Sequence, residues 1–338
     1  MPRAPVSPSL LFFASLCLAA CGPAWPTIPS TPSSAAALAP VALVVEPDAG
    51  PQAVLDLVSS ARASLWMEMY LLTDDGAIAA LAGRAAAGCD VRVILEPAPY
   101  QQEGANQPAF DRLAAAGADV RWSLSRFTYT HAKAFVVDRA RLVVLTLNLT
   151  GAGLAGNREY VAIDDDATDV GAAEAIFTAD ALGASAAPAA TDATAGRLVT
   201  SPESSRPALL ALIAGARSTL ALETEELTDR GVLGALLDAR ARGVALTLAW
   251  PGPGAAAAAP FTMLAAAGAT VRAVGAPAIH GKVAAADGTA LYVGSANLTP
   301  TSLDANREIG LLLAQPDTAA EVAAIVAGDA AAGTAPSP

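Results

Sequence analysis

Residues 60–76, SARASLWMEMYLLTDDG, return in altered form at 215–231 as GARSTLALETEELTDRG. FDRLAAAGADVR (110–121) returns as FTMLAAAGATVR (261–272), and HAKAFVVDRARLVVLTLN (131–148) as HGKVAAADGTALYVGSAN (280–297). GNREYVAID (156–164) returns as ANREIGLLL (305–313). The separation drifts only from 155 to 149 residues, as loop insertions between matched elements produce. Such a chain folds as two similar units, and residues that matter to its chemistry are to be sought in pairs.

Each half alternates strand and helix patterns. Val54, Leu55, Val58 and Ala61 form a helical stripe. SLWMEMYL then alternates as a strand, with Trp66, Glu68 and Tyr70 on one face and Leu65, Met67 and Met69 on the other. DGAIAALAGRAAAG reads as a helix ended by Gly88, and VRVIL as a short buried strand. The second half repeats the series with TLALET, a helix over 230–242 and VALTLAW. The expected fold is α/β: two similar α/β/α sandwich lobes related by a pseudo-twofold axis, with mostly parallel sheets. The lobes span 41–180 and 197–330, and ALGASAAPAATDATAG, within 181–196, links them.

The start of the chain reads as a targeting segment. Arg3 precedes the apolar run Leu10–Ala20, which is too short to span a bilayer. The run ends in Leu-Ala-Ala-Cys-Gly at 18–22, which resembles a lipoprotein cleavage site. Residues 1–20 are then the signal peptide, Cys21 the lipidated residue, and 21–40, rich in Pro, Ser and Ala, a tether. The implied location is the cell envelope, on the outer membrane facing the periplasm or the cell surface. Cys17 lies in the signal and Cys21 carries lipid, so Cys89 is left alone as a buried structural thiol.

The chain has only two histidines, and each heads a copy of His-x-Lys-x4-Asp. His131 and Lys133 are two apart, which on a strand puts both on one face; His280 and Lys282 repeat this. A second strand in each half brings a hydroxyl and an amide: Thr146 and Asn148, then Ser295 and Asn297. Imidazole, ammonium, hydroxyl and amide together suit phosphate oxygens. Glu159 follows His131 by 28 residues, and Glu308 follows His280 by 28. A Glu accepting the proton of one ring nitrogen would fix the tautomer and free the other nitrogen to attack or donate. Glu68 and Glu223, at equivalent places in apolar strands, are candidate substrate-lining residues.

With both motifs in view, residues 45 to 330 resemble the phospholipase D superfamily, whose paired HxKxxxxD motifs meet in one active site. The resemblance implies that one His attacks phosphorus and forms a phosphohistidine. The other protonates the leaving oxygen and then activates water or an acceptor alcohol. By analogy His131 is the nucleophile and His280 the acid and base. Lys133, Lys282, Asn148, Asn297, Thr146 and Ser295 would hold non-bridging oxygens, and the motif residues Asp138 and Asp287 would support the site from strand ends. Neither metal nor cofactor is implied, and one chain carrying both motifs implies a monomer. The chain departs from the family's Gly-Ser-x-Asn at Leu145, which stands where the second copy has Gly294. That change would remove a point of close backbone approach to phosphate.

The motif does not choose a substrate. A net charge of −12 and a pI near 4.6 disfavour polyanions drawn in by long-range charge. The expected function is metal-independent phosphodiester chemistry on phospholipid headgroups at the membrane that holds Cys21. The alternatives are a periplasmic nuclease, served by Arg121, Arg126 and Lys133, a cardiolipin-synthase-like phosphatidyl transferase, and a catalytically silent envelope binding protein.

Overall fold

The computed structural model describes residues 38–183, 197–254 and 257–336. The expected signal peptide, Cys21, all but the last residues of the tether, and residues 184–196 of the linker lie outside the described residues. The first lobe runs β1 (Ala42–Glu46), α1 (Pro51–Ser59), β2 (Ser64–Met69), α2 (Asp75–Ala86), β3 (Asp90–Leu95), α3 (Gln107–Ala115) and β4 (Asp119–Trp122). It continues through β5 (Lys133–Val137), β6 (Arg141–Leu145), α4 (Gly151–Ala155), β7 (Asn157–Asp164) and α5 (Ala167–Leu182). The second lobe runs β8 (Leu198–Ser201), α6 (Ser205–Gly215), β9 (Thr219–Glu223), α7 (Arg230–Ala241), β10 (Ala245–Trp250), α8 (Ala259–Ala266) and β11 (Thr270–Ala273). It closes with β12 (Ala278–Ile279), β13 (Val283–Ala286), β14 (Ala290–Gly294), α9 (Pro300–Asp304), β15 (Glu308–Leu313) and α10 (Pro316–Ala332).

The two sheets have one topology. Their strand orders are β1-β7-β6-β5-β2-β3-β4 and β8-β15-β14-β13-β9-β10-β11, which correspond position for position. The pairing is mixed where mostly parallel sheets were expected. Among the described strands only β2-β3-β4 and β9-β10-β11 run parallel within a lobe; the other neighbouring strands are antiparallel. Connection length decides this. A parallel crossover needs a dozen or more residues, and α2, α3, α7 and α8 supply it. The connection from β5 to β6 is three residues, and that from β13 to β14 is also three, so both must be hairpins.

The helices begin where the repeat places capping side chains. Asp74 accepts the Ala77 N–H at the start of α2, and its repeat Asp229 does the same for Val232 at α7. Among the described residues three large apolar cores result, beside a small cluster of Ala249, Val274 and Ile279. One packs α1 to α3 on the first sheet, through Val54, Leu81, Leu113 and Phe135, and a second packs α6 to α8 on the other, through Leu212, Leu236 and Phe261. The third runs from lobe to lobe. It joins Trp66, Val136 and Phe177 of the first to Val283, Leu311 and Val322 of the second. Cys89 is buried and unpaired, as the sequence implies.

The lobes also share backbone. β12 of the second half pairs in parallel with β7 of the first, Ala278 opposite Asn157 and Ile279 opposite Arg158. Reciprocally, Thr130 bridges to Arg307, with Arg307 N–H donating to Tyr129 and His131 N–H donating to Arg307. Each segment that delivers a histidine is therefore stitched to the Asn-Arg-Glu strand of the other lobe.

Candidate active site

Strand ends build the site. His131 precedes β5 and His280 follows β12, and Lys133 and Lys282 stand two residues on, at the mouths of β5 and β13. Both lysines are buried, and each ammonium donates to the carbonyl of its own histidine, at 2.9 Å for Lys133 and 2.6 Å for Lys282.

The glutamates are crossed. Spacing suggests that each Glu serves the histidine of its own copy. Instead His131 Nδ1 lies 3.0 Å from both oxygens of Glu308, and His280 Nδ1 lies 2.5 Å from Glu159 Oε1. The second contact is close but lacks the alignment of a hydrogen bond. The stitching of β12 to β7 and of Thr130 to Arg307 makes the exchange, because it carries each histidine across the lobe boundary before its own sheet begins. Burial opposes charge on both glutamates, but the facing histidine and lysine hold their carboxyls below the ordinary value.

The hydroxyls do not point to a phosphate. Thr146 Oγ1 donates to Glu159 Oε2 at 2.6 Å, and Ser295 Oγ donates to Glu308 Oε2 at 2.6 Å. Each also accepts the next strand's backbone N–H, from Tyr160 and Ile309. Their task is to fix the carboxylates. Asn157 and Asn306, each two residues before its Glu, donate to the same carboxylates at 3.4 and 3.2 Å.

Asp138 and Asp287 are not at the site. They sit in the β5–β6 and β13–β14 turns, at the far ends of strands that begin beside the lysines, roughly 16 Å away for five residues at ~3.3 Å each. Asp138 accepts the N–H groups of Arg62, Ala63 and Ser64, and Asp287 those of Arg217, Ser218 and Thr219. These bonds hold both carboxyls below the ordinary value; for Asp138 they outweigh burial, which pushes the other way. The motif aspartates thus tie β5 and β13 to the starts of β2 and β9.

Glu68 and Glu223 do not line an open face. Both are buried beneath the site, Glu68 beside Asp180 and Arg307, Glu223 beside Asp329, Tyr160 and Arg158. Burial, reinforced by the neighbouring carboxylate, holds each well above the ordinary carboxyl range. Arg158 bridges Asp48 and Asp329, while Arg307 bridges Glu203 and Asp180, so these arginines lock lobe to lobe.

The glycine departure also has a different cause. A Cβ on Gly294 would lie 2.5 Å from Gly310 Cα and 2.8 Å from the Tyr292 hydroxyl, within the sheet. The equivalent first-lobe positions are Leu145, Val161 and Val143, all buried in its core. Gly294 and Gly310 make room for the Tyr292 ring, and Leu145 fills the space that a valine leaves.

Two residues complete the site. Tyr70 packs edge-on against His131, with ring centroids 4.4 Å apart. Glu225, its repeat equivalent, places Oε2 3.3 Å from His280 Nε2, 3.3 Å from Lys282 Nζ and 3.3 Å from Asn297 Nδ2. The signal for Glu225 was the mismatch between EMYLLTDDG and ETEELTDRG. On the other side His131 Nε2 faces the Lys133 ammonium at 3.0 Å. Burial, aided by the two lysines, lowers the basicity of His131 against the pull of Glu308. Lys133 is itself brought down to about 7, chiefly by burial. A neutral His131 with Nδ1–H on Glu308 has its lone pair on Nε2, the nucleophilic position, where in this structure it faces the Lys133 ammonium.

The family model for the PLD-like domain of cardiolipin synthase matches residues 54–181 and 209–329. No curated protein matches the chain. Among solved structures, it resembles the polyphosphate kinase of Porphyromonas gingivalis at 17% identity and a TM-score of 0.65. The match covers 85% of this chain and 50% of the kinase, so the chain spans half the length of that protein. It resembles the phosphatidylserine synthase of Haemophilus influenzae Rd KW20 at 12% identity and a TM-score of 0.64, over 86% of this chain and 85% of the synthase. Nuc, a phospholipase D family member from Salmonella typhimurium, aligns at 22% identity and a TM-score of 0.37 with 41% of this chain and 95% of its own.

Proposed function

The chain belongs to the phospholipase D-like family, and on that premise we propose that it cleaves phosphodiesters of phospholipid headgroups through a phosphohistidine, without metal. The observation that carries this reading is the crossed pairing of His131 with Glu308 and His280 with Glu159. Each imidazole is completed by the other lobe, so the two motifs serve one centre.

His131 Nε2 attacks phosphorus with its lone pair. The bond from phosphorus to the leaving oxygen breaks, and that oxygen takes a proton from His280. His280, now neutral, takes a proton from water as the water oxygen attacks phosphorus and the P–N bond breaks. Lys133, Lys282, Asn148 and Asn297 stabilise the charge on the non-bridging oxygens.

Lipid is favoured over DNA by charge. Without residues 1–20, whose one charged residue is Arg3, the net charge is −13. Arg121 is engaged by Asp119, and Arg126 approaches Asp180, so neither is poised for a phosphate backbone. A lipid anchor at Cys21 would hold the enzyme beside its substrate and remove the need for steering. A second reading, transfer to an alcohol in place of water, is favoured by the match to the cardiolipin synthase domain.

The test is headgroup release from labelled phosphatidylglycerol and phosphatidylethanolamine, with and without added glycerol, beside single- and double-stranded DNA. Release in water supports the hydrolase, and an exchanged headgroup with glycerol supports the transferase. Efficient DNA cleavage at physiological salt with no lipid turnover would reverse the substrate assignment. Activity is expected to survive exhaustive EDTA treatment; loss that a divalent ion restores would overturn the metal-independent mechanism.

A further inference from the structure

The two halves of the site differ in charge at two adjacent repeat-equivalent pairs, Tyr70 with Glu225 and Leu71 with Glu226, and of the two glutamates it is Glu225 that contacts the histidine. Glu225 Oε2 stands 3.3 Å from an imidazole nitrogen, an ammonium and a side-chain amide at once. That is the place this donor set would give to a non-bridging phosphate oxygen. The Glu225 side chain is 31% exposed, so it reaches the open side of the site, unlike the fully buried Glu159 and Glu308. It adds a further carboxylate to those of Glu159 and Glu308 beside Lys133 and Lys282.

We propose that Glu225 is a charge filter: its carboxylate pre-occupies the second-half donor set, so that a singly charged phosphodiester displaces it while a doubly charged phosphate is repelled. The proposal rests on the phosphodiester reading above and names the ionic class that the site accepts. It carries a consequence for turnover. Hydrolysis of a diester leaves a monoester, which takes a second negative charge near neutral pH. The product thereby becomes the species the carboxylate rejects, and Glu225 hastens its release.

The probes are orthophosphate and dimethyl phosphate, titrated calorimetrically at pH 8 into the full chain and into its Glu225→Gln and Glu225→Tyr variants. Glu225→Tyr copies the first half. The wild type should bind dimethyl phosphate the more tightly, and orthophosphate should bind either variant ~10-fold or more tighter than the wild type, as relief of one close like charge allows. Equal orthophosphate affinity in wild type and Glu225→Gln overturns the filter. If neither variant folds, the wild type alone decides, because a preference for orthophosphate over dimethyl phosphate overturns it too. Diester turnover by the wild type is scored separately: its absence removes the phosphodiesterase reading, whereas the binding ratio judges Glu225.

Discussion

His131 and His280 occupy equivalent places in the repeat and meet different neighbours at Nε2, the Lys133 ammonium for one and the Glu225 carboxylate for the other. Each is assigned a distinct step, so His131→Asn and His280→Asn should each lower kcat by ~10³-fold or more. In a reaction quenched in base, the phosphatidyl group that remains after the headgroup leaves should be trapped on His131 and be missing from His131→Asn. Lys133 gives a pH signature. Burial holds it at about 7, so the charge that the proposed chemistry requires against phosphate is lost as pH rises through that value. The kcat/KM profile should therefore fall above about pH 7, and Lys133→Arg, which keeps the charge, should move that limb to higher pH at a lower maximum. A limb unchanged by the substitution would assign it to another group. The spacing of His, Lys and Asn was legible because two residues on a strand share a face. The partner of each Glu was not, because sequence separation does not say which lobe a loop will cross to. Glu225 was legible only as a mismatch between the copies, and the hydroxyls of Thr146 and Ser295 satisfied the expected chemistry while serving the carboxylates instead.

At the scale of strands and turns, the motif aspartates act as fasteners. Asp138 and Arg139 have φ of 51° and 56°, and Asp287 and Gly288 have 54° and 60°, the left-handed pair that a tight hairpin turn requires. The Asp carboxylate then gathers backbone N–H groups at the start of the neighbouring strand. Asp138→Ala should cost about 1–2 kcal/mol of stability, as the loss of such bonds does. Its lowered Tm should come with near-normal turnover at a temperature where the fold is intact; a large loss of kcat in a folded Asp138→Ala protein would return the residue to the site. Gly294 makes a companion case. Gly294→Ala forces a Cβ against Gly310 and Tyr292 and should destabilise by ~1–3 kcal/mol. Phosphate affinity in the folded variant should stay close to the wild type, measured by the same titration. The sequence presented this glycine as a phosphate contact because motif residues invite a chemical reading; the exchange of Tyr292, Gly294 and Gly310 for Val143, Leu145 and Val161 is a packing correlation between strands. The mixed pairing of the sheets was, by contrast, readable from connection lengths, since three residues cannot cross a sheet.

Across the whole molecule, the lobe interface is both core and site. One apolar cluster spans the lobes, and Arg158 and Arg307 clamp across it. Residues 38–183 and 197–336 made as separate chains should each be inactive, and co-expression should restore turnover if the interface assembles. Activity in either half alone would contradict the crossed site. Cys21→Ser should abolish lipid labelling and release the protein from membranes, and unchanged labelling would refute a lipid anchor at that residue. The duplication and the two lobes were open to a reader of the sequence, because a repeat of motifs is a repeat of folds, whereas one site for both histidines was an implication of the family resemblance. The exchange of glutamates was not, and it bears on the genetics of the chain. A duplicated motif ordinarily offers a spare copy, so that damage to one leaves the other to work. Here each copy lends its glutamate to the other's histidine, so a missense change in either is expected to disable both. The chain carries its motif twice and enjoys no insurance from the second.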